Sequence, residues 1–158
     1  MARRGATVPE RAETTTELDE TDRAIIDALA QDGRASVSAI ATTVHISRAH
    51  AYQRIARLRE REVITGFTVR TDPAKMGLRS SAYVTLKLRQ HSWRELQATL
   101  RRIPEVHHVA LVGGTFDVIL LVRATDNTAL RRVVFEVLQA MPEVMDTQTH
   151  LIFEDSET

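Results

Sequence analysis

Between Ser36 and Arg61, two segments of helical period stand only three residues apart, and few arrangements of a chain can satisfy both at once. In the first, the Ser36 hydroxyl is placed to cap a helix whose inner face carries Val37, Ile40, Ala41 and Val44. His45 and Ile46 make a tight connection, Ser47 caps again, and a longer helix is predicted from Arg48 to about Glu62. Upstream, LDETDRAIIDALAQDGR predicts a helix capped by Asp19, with Asp22 in the first turn, Ile25, Ile26 and Leu29 as its buried stripe and Gly33 as its stop. Three helices joined this closely form a helix-turn-helix.

On the third helix Ala51, Ile55 and Leu58 recur at i, i+4 and i+7, which turns them inward. His50, Gln53, Arg54, Arg57 and Arg61 are expected on the far side. From Arg48 onward the segment holds five arginines against Glu60 alone, in a chain whose formal net charge is +0, and so concentrated a patch asks for an anionic partner. Double-stranded DNA is the partner expected. Arg48, His50 and Gln53 lie near the helix N-terminus, where base edges are met; Arg54, Arg57 and Arg61 are expected to clamp phosphates. Ser36 and Ser47, at the two helix starts, complete the expected contact set.

Past this helix the rhythm changes. Val63, Thr65, Phe67 and Val69 alternate with more polar neighbours, predicting a strand or wing, and Asp72-Pro73 and Gly77 mark turns. Ser81–Arg89 alternates as a strand, Trp93–Ile103 reads as a helix stopped by Pro104, and Val106–Val112 reads as a strand. Gly113-Gly114 turns the chain into an apolar strand over Phe116–Val122, Asn127–Met141 is a helix on Leu130, Val134, Val137 and Leu138, and Val144–Phe153 is the last strand. Strand, helix, strand, strand, helix, strand is the ferredoxin-like plan. The predicted class is therefore α+β: a disordered tail at 1–17, a winged helix-turn-helix at 18–72, a linker at 73–80 and a ferredoxin-like βαββαβ domain at 81–158.

Composition bounds the chemistry. With 43% hydrophobic but only 4% aromatic residues, the core must be built from Leu, Ile, Val and Ala. The absence of cysteine removes disulfides and thiolate chemistry. No apolar run approaches the roughly 20 residues of a membrane helix, and the arginines near the N-terminus precede no apolar stretch, so neither membrane nor leader is expected and a cytoplasmic location is. His107 and His108 are adjacent on a strand and should point to opposite faces, which argues against a shared metal. Motifs for a catalytic triad, a zinc protease or a P-loop are missing, so an enzyme is not expected.

Taken in order, LDETDRAIIDAL, RASVSAIA, the spacing from HIS to RIARL, VITGF, LVGGTFDVILLV and PEVMDTQTHLIFE resemble the Lrp/AsnC family of bacterial and archaeal transcription regulators. The resemblance implies a homodimer, assembling further to a tetramer or octamer, that binds a partly palindromic operator in a prokaryotic cytoplasm and commonly takes an amino acid as small-molecule effector, with no other cofactor. It also implies that the GGTFD turn and the Thr-x-Thr of the last strand border that effector, which makes Gly114, Thr115, Asp117, Thr147 and Thr149 the expected pocket residues. Asp117 would hold the ammonium, and backbone N–H groups or threonine hydroxyls the carboxylate. Four departures from the family pattern stand out: His45 and Glu62 where glycine is usual, Arg48 where proline often opens the helix, and Arg59 where an acid is common. The alternative from another class is a ligand-binding or metabolic protein whose N-terminal helices dock a protein partner.

Overall fold

The computed structural model describes residues 18–89 and 93–155, so the predicted disordered tail at 1–17 lies outside the described residues. The chain forms two compact units, divided between Val69 and Arg70.

The first unit is built on α1 (Glu20–Gln31), α2 (Val37–Thr43) and α3 (Arg48–Glu60). Each helix starts where a short polar side chain can take an orphan amide. Asp22 N donates to Asp19 Oδ1 at 2.8 Å, Ala39 N to Ser36 Oγ at 3.1 Å and His50 N to Ser47 Oγ at 3.2 Å. Gly33 is not the stop in the sense expected, because the chain leaves α1 through Asp32 in an extended conformation. Asp32 then closes a turn by accepting from Arg34 N through its side chain and from Ala35 N through its carbonyl. Ile25, Ile40 and Leu58 form the centre of the core, with Leu18, Ile26, Leu29, Val44, Ile46, Ile55, Val63 and Ile64 around them.

Two residues of this unit hold a left-handed backbone without being glycine: His45 in the turn and Glu62 after α3, both at φ 55°. The conformation is needed in both places. At the turn it lets Ile46 N reach Ala41 O at 3.0 Å; after α3 it lets Val63 N and Ile64 N reach Leu58 O, which folds two apolar side chains back under the helix. A side chain in this region costs about 1–2 kcal/mol, partly offset on substitution by the greater unfolded freedom of glycine. Glu62→Gly is therefore expected to raise unfolding stability by about 0.5–1 kcal/mol in a thermal or urea melt. A loss of stability would mean that the Glu62 side chain has a favourable role.

Beyond Ile64 the expected strand or wing is not formed. Residues 65–72 carry no strand, with Phe67 and Val69 exposed. The alternation is present, but a strand also needs a neighbour for its amides and carbonyls, and no described segment pairs with this one.

The second unit follows the predicted plan: β1 (Ser80–Leu88), α4 (Trp93–Leu100), β2 (Val106–Leu111), β3 (Val118–Ala124), α5 (Asn127–Arg132) and β4 (Val144–Ile152). The strands form one antiparallel sheet in the order β2-β3-β1-β4, with the first and third strands in the middle, which is the ferredoxin-like topology. Ala82, Val84 and Leu86 of β1 and Val118, Leu120, Val122 and Ala124 of β3 pack against Leu96, Leu100, Leu130, Val133, Val134 and Leu138 from the helices. Among the described residues, no helix of this unit packs on the other face. Register places Tyr83, Thr85 and Lys87 there beside Ile119, Leu121 and Arg123, with Gln148 and His150 on one flank and His108 and Ala110 on the other.

Two local irregularities depart from expectation. The helix predicted over Asn127–Met141 is α-helical only to Arg132 and continues as a π-helical stretch, Val133–Leu138, with Gln139 N bonded to Val134 O five residues back. The wider turn buries Val133 completely and leaves Val137 only half-buried, where a regular helix would bury Val137. In β2, Val106 pairs with Val122 but His108 with Leu121, so His107 is an extra residue and strict alternation fails there. Val106 and Val109, three apart, both pack against the helix-side core, and the exposed His107 and His108 lie between them. The alternation argument against a shared metal therefore does not hold at this pair; among the described residues no cluster of three or more metal-ligating side chains occurs.

Candidate nucleic-acid interface

Ala51 and Leu58 are fully buried on α3 and Ile55 is half-buried, as the periodicity requires. The arginines are not distributed as expected. At 100° per residue Arg54 lies only about 70° from the centre of the buried face. Its side chain is 17% exposed and leans onto the start of α1. There Nη1 donates to Asp19 Oδ2 at 2.6 Å and to Asp22 Oδ1 at 2.8 Å, while Nε donates to His50 Nε2 at 3.1 Å. Arg57 adds a contact from Nη2 to Asp22 Oδ2 at 3.0 Å. Asp22 is 1% exposed and is a receptor for two guanidinium groups rather than a helix-dipole residue alone.

The electrostatics follow from that geometry. The Arg54 hydrogen bond, then the backbone amide of Asp22, hold the Asp19 carboxyl below its ordinary range, and the Asp19 and Asp22 carboxylates push Arg54 up in turn. Arg54 is thus committed within the unit, and the far-side placement expected for it is corrected, since it faces α1; Arg57 lies about 125° from the buried centre, stays half-exposed and reaches Asp22 through one nitrogen. One sequence signal pointed to this. Asp22 falls on the same stripe as Ile25, Ile26 and Leu29, and a carboxylate on a buried stripe needs a cation.

What α3 leaves open is its N-terminal half and outer surface. Arg48, Ala49, His50, Tyr52 and Gln53 are exposed there, and Arg61 is exposed past the other end. Ser36 and Ser47 present their hydroxyls to their own helix amides. Tyr52 was not among the expected contact residues; it is 67% exposed.

In the second unit the five expected effector residues are not gathered into one cavity. Asp117 Oδ1 accepts from Lys87 Nζ at 3.0 Å and Oδ2 from Leu88 N at 2.8 Å. The Leu88 amide, then Lys87, hold this carboxyl below its ordinary range. Its charge is already balanced, and with Asp117 N bonded to Leu86 O it ties the β2–β3 turn to the end of β1. Gly114 carries a φ of 133°, which a side chain rarely adopts. Thr115 lines a cleft of about 90 Å³ with Thr85, Lys87, Asp146 and Gln148, on the helix-free side of the sheet. Thr147 and Thr149 pair with Leu86 and Val84, which places them on the opposite face, and Gln139 Nε2 donates to Thr147 Oγ1 at 2.7 Å.

Comparison with known proteins agrees with both units. Residues 18–59 match the AsnC-type helix-turn-helix domain and residues 81–157 the Lrp/AsnC ligand binding domain. The chain is 39% identical over 141 residues to the HTH-type transcriptional regulator AldR of Mycolicibacterium smegmatis, covering 87% of this chain and 82% of that protein. It is 33% identical over 143 residues to a proline dehydrogenase transcriptional activator of Rhizobium radiobacter, covering 89% and 92%. Among solved structures, a transcriptional regulator of Neisseria meningitidis in complex with L-Met superposes with a TM-score of 0.83 at 22% identity, covering 90% of this chain and 94% of that one. The mycobacterial AldR structure superposes with a TM-score of 0.74 at 31% identity, covering 89% and 97%. The family consists of transcription regulators rather than enzymes, and no helix among the described residues is long and apolar enough to cross a membrane. With a DNA-binding helix-turn-helix at one end and a ligand-binding domain at the other, the chain belongs to the Lrp/AsnC family of transcription regulators.

Proposed function

We propose that this regulator acts as a homodimer, able to build tetramers or octamers, that binds a partly palindromic operator in the prokaryotic cytoplasm and answers to an amino acid. The observation that carries the pairing is the helix-free face of the sheet. Tyr83 stands 45% exposed between Leu121 and His150, with Ile119 close by, and an uncovered sheet face of this kind calls for a second layer. A second copy supplies one. The amino-acid effector is supported by the family of the second domain and by the L-Met bound to the Neisseria relative. The alternative of a metabolic protein with a docking helical domain finds no support in those relatives.

Paired copies set two α3 helices about 34–36 Å apart, or a multiple of that, along the duplex. Footprinting is expected to show two protected patches at that spacing, and sedimentation of a Tyr83→Asp, Leu121→Asp variant to show a monomer. A single unrepeated footprint, or an unchanged assembly, would sink the pairing. Arg48→Ala is expected to weaken binding to an enriched duplex by about 1–3 kcal/mol, because Arg48 opens the exposed end of α3. Calorimetric titration with the standard amino acids tests the effector; absence of heat, with DNA binding unchanged by any of them, would refute it.

A further inference from the structure

Of the exposed large apolar side chains described in the first unit, Tyr52, Phe67 and Val69, only Tyr52 sits on a helix. Its ring stands one turn after Arg48 and beside Gln53, and its hydroxyl makes no hydrogen bond to the described residues. A two-thirds exposed aromatic ring buries little apolar area in the unit that displays it. Position supplies a role. Ala51 and Leu58 point inward, Arg54 turns toward α1, and the exposed His50 accepts a hydrogen bond from Arg54 Nε. By helical geometry Gln53 then lies about 170° from the buried centre, and Tyr52 about 90° away on the side opposite Arg54. Ala49, exposed, and Ala56, half-exposed, flank the two and leave the surface low enough for base edges to approach.

The chemistry of that surface is specific. Thymine alone among the bases carries a C5 methyl into the major groove, beside its O4 acceptor, and a phenol ring offers an apolar contact to the one and a donor to the other. Gln beside it pairs bidentately with adenine N6 and N7. We propose that Tyr52 is a specificity-determining residue that reads a thymine methyl in each half-site, with Gln53 taking a neighbouring adenine. The proposal rests on α3 entering the major groove, and it assigns selectivity to neutral side chains, the two central arginines being held by Asp22.

The test uses the full chain. Duplexes are enriched from a random pool with the wild-type protein, and each thymine of a winner is replaced in turn by deoxyuridine, which removes only the methyl. Wild type is expected to lose about four-fold at one thymine per half-site, the value of one buried methyl. Tyr52→Ala should bind the parent duplex more weakly and show no response at that thymine, whereas Tyr52→Phe should keep the response. Unchanged helix content in both variants checks that they fold. Wild-type indifference to every deoxyuridine, or a deoxyuridine response retained by Tyr52→Ala, overturns the assignment while leaving DNA binding intact. Failure to enrich any duplex would instead overturn α3 as a sequence reader, and Tyr52 with it.

Discussion

Replacing Asp22 by alanine is expected to destabilise the helix-turn-helix unit by about 3 kcal/mol, because it strands two guanidinium groups around a site that water barely reaches. The lower end of the range for a broken buried pair applies. Arg54 keeps its bond to Asp19, and Arg57 is half-exposed and can turn to solvent. Urea unfolding followed through α3 amide exchange measures the effect, and a loss under 1 kcal/mol would show that the ion pairs contribute little to folding. Arg54→Ala should then register chiefly as lost stability, with Asp22 left buried and partly unpaired, rather than as a lost phosphate contact.

Val133→Asp is expected to unfold the second unit, while Val137→Asp should be tolerated at a cost of about 1–2 kcal/mol. Val133 is fully buried among Leu130, Val134 and Leu138, so a carboxylate there enters the apolar core without a cation; Val137 is half-buried. Circular dichroism of the two purified variants separates the cases. Equal damage, or greater damage at position 137, would mean that the helix runs as a regular α-helix in solution and that the wide turn is not its resting state.

These two sites mark where the sequence was and was not legible. The number, order and type of elements followed from period and punctuation: Ser36 and Ser47 cap where expected, and the strand, helix, strand, strand, helix, strand order is observed. Positive φ at His45 and Glu62 was legible too, since both stand where the family pattern has glycine. What period alone does not report is a change of period. Along the π-helical stretch Val133 is buried and Val137 only half-buried while Leu130, Val134 and Leu138 stay where the period puts them, and the extra residue at His107 breaks alternation in β2. Nor does a run of arginines reveal which of them the fold itself neutralises, because the answer depends on Asp22, more than thirty positions away in the chain. The residues expected to border an effector came only through resemblance, and within one chain Thr115 and Thr147 sit on opposite faces of the sheet. The segment after Ile64 had the pattern of a strand and, among the described residues, lacked the neighbour that makes one.

The Asp19–Asp22–Arg54–Arg57 cluster also has a mechanical meaning. Charge-assisted bonds from two turns of α3 converge on the first turn of α1, so those helices behave as one stiff bracket. Re-aiming α3 inside the bracket would require several of these bonds to part together around a buried carboxylate. The cheap motion is that of the bracket as a whole, so in the homodimer proposed above an effector signal would change how far apart two brackets stand and leave what each one recognises unaltered.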